Sequence, residues 1–284
     1  MRVLVLGASG MLGNAVLRVL NEKQGWEVFG TVRAADVSRF FSDSIVPRLI
    51  TGCDVGDYDT LVKVFAKVRP DVVINCIGLI KQLADAEDPL EAIPINSLLP
   101  HRLAGLCALV GARLVHMSTD CVFSGSKGNY RERDVSDATD LYGKSKYLGE
   151  VDYSHAITLR TSIIGRELQS AHGLISWFLS QNQQCKGYKN AIFSGLPTVT
   201  LAQIIRDVVI PNPDLSGVYH VAAEPISKYD LLRLVADVYG KTIDIVPDVE
   251  LVIDRSLNAD RFRQATGYVA SKWPELIKLM HSYQ

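Results

Sequence analysis

The sequence predicts a doubly wound α/β fold, in which a parallel sheet is covered by helices on both faces. Residues 2–6, RVLVL, form an apolar run that ends in a glycine, as a strand buried on both faces does. Apolar residues recur at i, i+3, i+4 and i+7 from Leu61 to Val68, which indicates an amphipathic helix. Strand and helix patterns alternate in this way over the first 160 residues, and such alternation requires parallel strands joined by right-handed crossovers.

The remaining elements follow from the same patterns. Strands are predicted at 26–32, 71–78, 112–119, 156–161, 217–222 and 242–246. Helices are predicted at 11–23, around 96–110, after Tyr142, and near 173–183, 200–210 and 227–240. Because the loops lengthen beyond residue 161, we divide the chain into a main domain at 1–165 and a smaller α/β lobe at 166–284. The strand at about 217–222 is a candidate to return to the main sheet.

Composition excludes several classes of protein. The chain of 284 residues is 48% apolar and 21% charged, which is typical of a folded domain. Its formal net charge of −1 supplies no basic excess for nucleic acid. No apolar stretch reaches the roughly 18 residues that a membrane span needs, and the N-terminus lacks the apolar core of a signal peptide. We therefore expect neither a nucleic-acid nor a membrane partner.

The cysteines are odd in number and scattered, with no CxxC pair: Cys53, Cys76, Cys107, Cys121 and Cys185. This pattern argues against a disulfide framework or a zinc cluster and suits a reducing cytoplasm. The acidic residues form no cluster with metal-ligand spacing, so no metal site is predicted. The sequence leaves the oligomeric state open, a homodimer included.

A glycine-rich turn, GASGMLG, follows the first strand and opens the first helix. Three glycines at this spacing let the backbone turn tightly, approach a pyrophosphate and pack the helix on the strand, and the helix N-terminus then faces the anion. This strand–turn–helix context predicts dinucleotide binding. The turn residues expected to contact the cofactor are Gly7, Ser9, Gly10, Met11, Leu12 and Gly13.

A YxxxK pair, Tyr142 and Lys146, places both side chains on one face of a helix. About half a match is expected by chance in a chain of this composition. A second copy, Tyr268 and Lys272, does occur, but it follows no strand that ends in a hydroxyl residue and it runs into Trp273-Pro274. We interpret the second copy as accidental.

The position of Tyr142 and Lys146 in the chain distinguishes this pair from a chance match. It follows Thr119, at the carboxyl end of the strand predicted at 112–119, the edge where doubly wound sheets bind ligands. A tyrosine can donate the proton that a ketone needs when hydride reduces it, and a nearby ammonium is expected to lower the tyrosine pKa toward working pH. Thr119 can donate a hydrogen bond to the developing alkoxide. We therefore predict that Thr119, Tyr142 and Lys146 are catalytic.

Cofactor choice depends on the end of the second strand. Enzymes that use NAD usually place a carboxylate there for the ribose 2′-hydroxyl, whereas this chain has Gly30-Thr31-Val32-Arg33. A guanidinium can form paired hydrogen bonds with a 2′-phosphate. Arg33 therefore favours NADP, with NAD as the alternative.

The GxxGxxG spacing resembles that of the extended short-chain dehydrogenase/reductase superfamily. Two further segments match it in order. The resemblance implies that Asp54 and Val55, at the place that follows the third strand in the superfamily, contact the adenine end of the cofactor. It also implies that Cys76 and Gly78, in Asn75-Cys-Ile-Gly78, lie beside the cofactor, with Cys76 as a small wall residue rather than a reactive thiol.

Three longer segments resemble the dTDP-4-dehydrorhamnose reductase family within that superfamily: STDCVFSG at 118–125, KGNYRERD at 127–134 and LYGKSKYLGE at 141–150. The resemblance implies NAD(P)H-dependent reduction of the 4-keto group of a 6-deoxy sugar on a nucleoside diphosphate, in the synthesis of polysaccharide precursors. It carries the catalytic roles to Thr119, Tyr142 and Lys146, with Lys146 also on the nicotinamide ribose. Thr161 and Ile163 would flank the nicotinamide.

Sequence similarity becomes thin beyond about residue 165. Arg255, in Arg255-Ser256-Leu257, matches a late motif of the family's nucleotide-sugar lobe in altered order. Arg255 is therefore either a contact to the substrate diphosphate or an ordinary exposed arginine.

Cys121 occupies a position where the family usually has tyrosine. GDP-fucose synthase, a related epimerase-reductase, has a cysteine at this position and a histidine comparable in place to His172. Because a 4-keto group acidifies the flanking carbons, a thiol and an imidazole on opposite faces could invert them before reduction. The alternative is that Cys121 packs as a small apolar side chain and has no chemical role.

Two other functions remain as alternatives. Dehydratases of the superfamily carry Thr-Asp-Glu, so Cys121 in the glutamate position counts against that chemistry. A regulatory subunit that binds NADP without turnover is the alternative from another class, although such proteins commonly lose part of the Tyr–Lys pair that this chain retains.

Overall fold

The structure is a computed structural model that describes residues 1–80, 87–168 and 173–283. The strands are β1 (Arg2–Leu6), β2 (Glu27–Thr31), β3 (Leu49–Ile50), β4 (Val72–Asn75), β5 (Arg113–Thr119), β6 (Ala156–Thr161), β7 (Ile163–Ile164), β8 (Gln184–Tyr188), β9 (Ala191–Phe193), β10 (Leu196–Pro197), β11 (Gly217–His220), β12 (Ile226–Ser227), β13 (Asp244–Asp248) and β14 (Ile253–Asp254). The helices are α1 (Met11–Asn21), α2 (Tyr58–Val68), α3 (Pro89–Ala92), α4 (Leu99–Val110), α5 (Leu141–Leu148), α6 (Leu174–Ser180), α7 (Thr198–Ile204), α8 (Lys228–Tyr239), α9 (Asp260–Thr266) and α10 (Trp273–Ser282).

The main sheet has seven parallel strands in the order β11-β6-β5-β4-β1-β2-β3. The strand order reverses between β1 and β4, as in a doubly wound fold. This arrangement confirms the predicted fold class. The predicted bounds of β1 and β6 match the structure, whereas the predicted strands at 26–32 and 71–78 are shorter in the structure.

Two hydrophobic cores lie on opposite faces of this sheet. One contains buried residues of α1, α7, α8 and α10, and the other contains those of α2 and α4. Successive residues of a strand point to opposite faces, so Val3 and Val5 belong to the first core while Leu4 and Leu6 belong to the second. Burial on both faces is why β1 reads as an uninterrupted apolar run.

The carboxyl ends of the central strands share one edge of the sheet. Leu6 aligns with Asn75, Asn75 with His116, and Thr119 with Thr161. The chain therefore leaves β1, β4, β5 and β6 at the same edge, where the glycine turn and the segments that begin at Cys76 and Asp120 lie side by side.

A continuous helix precedes β5. It runs through α3, a π-helical segment at Ile93–Leu98 and α4. With 22 residues and a mean hydropathy of 1.3 in its most apolar window, Pro89–Val110 has the length and composition of a membrane span, contrary to the expectation from sequence. Leu99, Leu103 and Cys107 pack it into the core beside the sheet, as helices of soluble proteins with the same composition also pack.

The second half of the chain is joined closely to the main sheet. β11 extends the sheet beside β6, and α7 packs against α1. Small sheets outside it pair β12 with β9, β14 with β9, and β13 with β8. The division at residue 165 stays a prediction. Two elements beyond that residue, α7 and β11, pack with the main sheet.

Helix α1 contacts the preceding turn backbone to backbone. A Cβ atom at Gly13 would overlap the carbonyl oxygen of Gly7, whereas a Cβ atom at Gly105, on the exposed side of α4, would meet nothing within 4 Å. We expect Gly13→Ala to lower the free energy of unfolding by about 2 kcal/mol or more, because the helix must move off the turn. Gly105→Ala should raise it by about 0.5–1 kcal/mol, because alanine is the better helix former. Urea denaturation measures both, and equal effects would contradict the close contact.

Candidate functional site

The glycine turn has the backbone that the sequence predicts for an anion cradle. Gly7 has φ of +79°, a left-handed conformation that L side chains rarely adopt, and a Cβ atom there would lie 2.8 Å from Ile77 Cγ1. The Gly7 amide donates to Thr31 Oγ1 at 3.2 Å, and the Gly10 amide donates to the Gly7 carbonyl at 3.0 Å. Gly10 precedes the 11-residue helix α1, whose first turn carries Met11 and Leu12. A dinucleotide pyrophosphate fits this side-chain-free helix N-terminus.

The predicted adenine-side residues lie on two paired loops. The Gly52 amide donates to the Arg33 carbonyl at 3.1 Å, and the Cys53 amide donates to the Val32 carbonyl at 3.1 Å. These bonds hold the segment that carries Asp54 beside the end of β2. Arg33 and Asp54 are exposed and Val55 is buried, so both charged groups remain available to a ligand.

Asn75 organises the turn after β4. Its Oδ1 accepts a hydrogen bond from the Ile77 amide at 3.1 Å, and its Nδ2 lies 3.1 Å from His116 Nδ1. Cys76 is half-buried and Gly78 is exposed. Burial raises the pKa of the Cys76 thiol to about 12, so the thiol is neutral, as expected for a wall residue.

Thr119 and Tyr142 meet at the end of β5. Thr119 Oγ1 accepts a hydrogen bond from the Cys121 amide at 3.1 Å, which caps a short 3₁₀ turn at Asp120–Val122. The Thr119 hydroxyl donates to Asp120 Oδ1 at 3.3 Å, and it lies close enough to Tyr142 to influence the pKa of the phenol. Asp140 begins α5 by accepting a hydrogen bond from the Gly143 amide at 2.7 Å, and this cap fixes the first turn, which carries Tyr142.

The pKa of Tyr142 differs from the sequence prediction. Burial raises it above its ordinary value of 10.0, and the neighbouring Cys121 raises it further, while the nearby Thr119 hydroxyl lowers it. The predicted lowering by Lys146 is therefore wrong for this structure. The phenol is held protonated, which is the form that a proton donor requires.

Lys146 is buried one helical turn after Tyr142. Its Nζ donates to the Met117 carbonyl at 2.7 Å, on the strand that ends in Thr119. Burial lowers its pKa to about 8, and the nearby Glu150 opposes that shift. A Cβ atom built at Gly78 would lie 3.7 Å from Lys146 Nζ, so the turn after β4 reaches the ammonium.

Asn96 completes the site and is absent from the sequence prediction. It is fully buried in the π-helical segment, where its Oδ1 accepts from the Leu79 amide at 3.0 Å and its Nδ2 donates to Ser145 Oγ at 3.2 Å. Asn96 therefore joins the turn after β4 to helix α5. The signal available from sequence was an asparagine–serine pair, Asn96 and Ser97, inside an otherwise apolar helix.

The remaining predicted residues lie around this centre, with one exception. Thr161 pairs with Thr119 in register, and Ile163 continues in β7. Arg255 donates to the Phe123 carbonyl at 2.8 Å, and its charge acts on Asp120 and Cys121, so it belongs to this cluster rather than to the open surface. His172 lies outside the described residues.

Cys121 lies close enough to Tyr142 to raise the pKa of its phenol. Burial, followed by the charge of Asp120, raises the pKa of its thiol to about 12. A neutral thiol in this position can donate a proton more readily than it can remove one.

The second YxxxK copy is not a helical pair. Tyr268 lies between α9 and α10, and Lys272 is the residue that precedes α10. Among the described residues, no three histidine, cysteine, aspartate or glutamate side chains cluster in a way that could hold a metal ion.

Asn96→Ala removes an acceptor and a donor from a buried position. We expect the free energy of unfolding to fall by about 2 kcal/mol, because the Leu79 amide and Ser145 hydroxyl lose their partner. Urea denaturation measures this, with Asn182→Ala, at an exposed position, as the control. A loss no larger than that of the control would contradict the joining role of Asn96.

Comparison with known proteins places the chain in a family. A family model described as the RmlD substrate binding domain matches residues 1–264. The chain is 25% identical to dTDP-4-dehydrorhamnose reductase of Aggregatibacter actinomycetemcomitans over 99% of both chains. It is 26% identical to methionine adenosyltransferase 2 subunit beta of Xenopus laevis, over 84% of this chain and 72% of that protein.

The fold recurs in a solved structure. The crystal structure of dTDP-4-dehydrorhamnose reductase from Bacillus anthracis in complex with NADP superposes with a TM-score of 0.81 at 20% identity, covering 100% of this chain and 99% of that one. The match to the family model spans nearly the whole chain. This protein therefore belongs to the RmlD substrate-binding-domain family, the family of the dTDP-4-dehydrorhamnose reductases.

Proposed function

We propose that this protein reduces the 4-keto group of a 6-deoxy sugar attached to a nucleoside diphosphate, with NADPH as the reductant. The proposal rests on one arrangement: Thr119 lies close to Tyr142, and Lys146 follows Tyr142 by one helical turn. Both lie at the sheet edge that also holds the glycine turn. Membership of the family supports the same reaction class.

Each residue has a defined task in this reaction. Tyr142 donates its proton to the ketone oxygen as the C–H bond forms, and its raised pKa keeps that proton in place until then. Thr119 donates a hydrogen bond to the same oxygen as negative charge develops on it. Lys146 brings a positive charge to this apolar site and holds the nicotinamide ribose.

The cofactor residues are assigned on the same basis. Gly7, Gly10 and Gly13 would hold the pyrophosphate at the start of α1, and Arg33 would bind the 2′-phosphate of NADP. Bound NADPH would supply the hydride. NAD is the alternative cofactor.

Substrate recognition is assigned to the second half of the chain. Arg255, fixed at the Phe123 carbonyl beside Cys121, would bind the substrate diphosphate. The partner is thus a nucleoside-diphosphate sugar.

The first test is NADPH consumption against dTDP-, UDP- and GDP-linked 4-keto-6-deoxy sugars. Tyr142→Phe should lower kcat by about a hundredfold or more, because general acid catalysis is lost. Tyr268→Phe, in the accidental copy of the motif, is the matched control and should retain parental kcat. Parental turnover by the Tyr142 variant would exclude Tyr142 as the proton donor.

Cofactor choice is tested by Arg33→Glu. Repulsion of the 2′-phosphate should raise the Kd for NADPH at least about tenfold while leaving that for NADH equal or lower. Lys67→Glu makes the same charge change at an exposed position on α2 and should change neither constant. An equal effect of Arg33→Glu on both cofactors would contradict a contact with the 2′-phosphate.

Epimerisation before reduction is a second candidate, favoured by the placement of Cys121 beside Tyr142. If Cys121 supplies a proton to a carbon next to the ketone, Cys121→Ser should slow incorporation of solvent deuterium at C3 or C5 about tenfold or more. Incorporation at the parental rate would remove Cys121 from this role.

A non-catalytic NADP-binding subunit is the candidate from another class. The similarity to methionine adenosyltransferase 2 subunit beta, a protein named as a subunit, favours it. Tight NADPH binding without turnover of any sugar nucleotide in the panel would support this candidate over the reductase.

A further inference from the structure

Helix α5 is followed by a buried carboxylate that the reaction described above does not use. Glu150 Oε1 accepts hydrogen bonds from Ser118 Oγ and Arg160 Nε, both at 2.6 Å, and its Oε2 accepts from Arg160 Nη2 at 2.6 Å. The side chains of Glu150 and Arg160 are only 6% and 4% exposed. A buried ion pair loses much of its Coulomb energy to desolvation, so stability alone is a weak reason for it.

The same carboxylate lies one turn beyond Lys146. Lys146 Nζ binds the carbonyl of Met117, and Glu150 binds the hydroxyl of the next residue, Ser118. Thr119 follows directly. Lys146, in α5, is thus bonded to Met117, and Glu150, two residues after the end of α5, is bonded to Ser118, the next residue of β5. These contacts hold the helix that carries Tyr142 against the strand that carries Thr119.

The arginine of the pair also contacts a histidine, His220, on the side away from Glu150. Arg160 Nη1 lies 3.3 Å from His220 Nε2, while His220 Nδ1 lies 3.0 Å from the Tyr130 carbonyl oxygen. A carbonyl can only accept, so Nδ1 carries the proton and Nε2 accepts from Arg160. Burial, and then the charge of Arg160, lower the pKa of His220 to about 3, so the imidazole is neutral. Arg160 thus has a fixed orientation toward Glu150.

The groups facing Lys146 come from three elements. Cys76, after β4, has a pKa raised to about 12 by burial, and His116, on β5, has a pKa lowered by burial and by Lys146. Both are neutral at working pH. Glu150 is the larger of the two influences that oppose the desolvation of Lys146, ahead of Cys76. Glu150, although paired with Arg160, is therefore the main negative charge that favours the ammonium form of Lys146.

From this geometry we propose that Glu150 is a positioning residue, which fixes Lys146 at the carboxyl end of β5 and keeps its ammonium charged. The proposal rests on the proposed function for the role of that ammonium. It adds a residue that touches neither substrate nor cofactor and acts through Lys146.

The direct test is a titration of Lys146 by NMR in protein labelled at the lysine side chains, with the signal assigned by Lys146→Arg. Glu150→Gln keeps the shape of the side chain and removes its charge. The pKa of Lys146 should then fall by at least about one unit, because an opposite charge nearby shifts a pKa by about that amount or more. Asp152→Asn, which removes an exposed carboxylate two residues away, is the control and should leave the titration unchanged.

A second variant guards against misfolding. Glu150→Gln alone leaves the Arg160 guanidinium buried without its partner, which is strongly destabilising. Glu150→Gln combined with Arg160→Gln removes both charges together and should also lower the pKa of Lys146, by less than Glu150→Gln alone, because the nearby positive charge of Arg160 is lost as well. If Lys146 titrates as in the parent in whichever of these variants folds, the proposal is overturned.

Turnover gives an independent readout. In the Glu150 variants the alkaline limb of kcat/KM should move to lower pH by the same amount as the titration, whereas a purely structural role would lower kcat/KM equally at every pH. A uniform loss with an unmoved limb would overturn the proposal. If the parent protein reduces no sugar nucleotide, the proposed function fails, and the NMR titration still decides whether Glu150 controls Lys146.

Discussion

The candidate site depends on how closely helix α5 approaches its neighbours. A Cβ atom at Gly143 would overlap the carbonyl oxygen of Cys121, and one at Gly149 would overlap the carbonyl oxygen of Asn96. The helix therefore contacts the turn after β5 at one end and the π-helical segment at the other, backbone to backbone. In this position Lys146 reaches the Met117 carbonyl and Tyr142 lies close to Thr119.

This close approach has an electrostatic consequence. Lys146 is buried and Tyr142 is half-buried, and desolvation is the largest influence on the pKa of each, in the direction that favours the neutral form. A protonated phenol needs no compensation, whereas a buried ammonium does. The Met117 carbonyl and the Glu150 carboxylate provide that compensation. The site is thus arranged to keep a proton on the tyrosine and a positive charge on the lysine.

The elements with strong local signals could be predicted from the sequence. β1 is buried on both faces and ends in Gly7, so its apolar run and its boundary were both visible. The glycine turn and Thr119 were placed correctly because the carboxyl ends of parallel strands share one edge. Family membership followed from the segments between Ser118 and Glu150, which the match to the family model confirms.

Other features depend on contacts between distant residues and left little local signal. Asn96 functions through Leu79 and Ser145, and the sequence gives no spacing that links them. The pKa of Tyr142 was predicted with the wrong sign, because a helical spacing of four residues shows that Lys146 is near but not that desolvation of the phenol is the larger influence. The helix at Pro89–Val110 starts earlier than predicted, because Asp88 caps its first turn and Pro89 stands at a first-turn position, where proline costs no helical hydrogen bond.

Hydride transfer to a ketone distinguishes the proposed reductase from a protein that only binds a dinucleotide. The most direct measurement is a single turnover with NADPH deuterated at C4 of the nicotinamide, each stereoisomer in turn, followed by mass spectrometry of the sugar nucleotide. We expect one deuterium at C4 of the sugar from one stereoisomer and none from the other. Bound NADPH with no deuterium in any sugar of the panel would contradict a reductase.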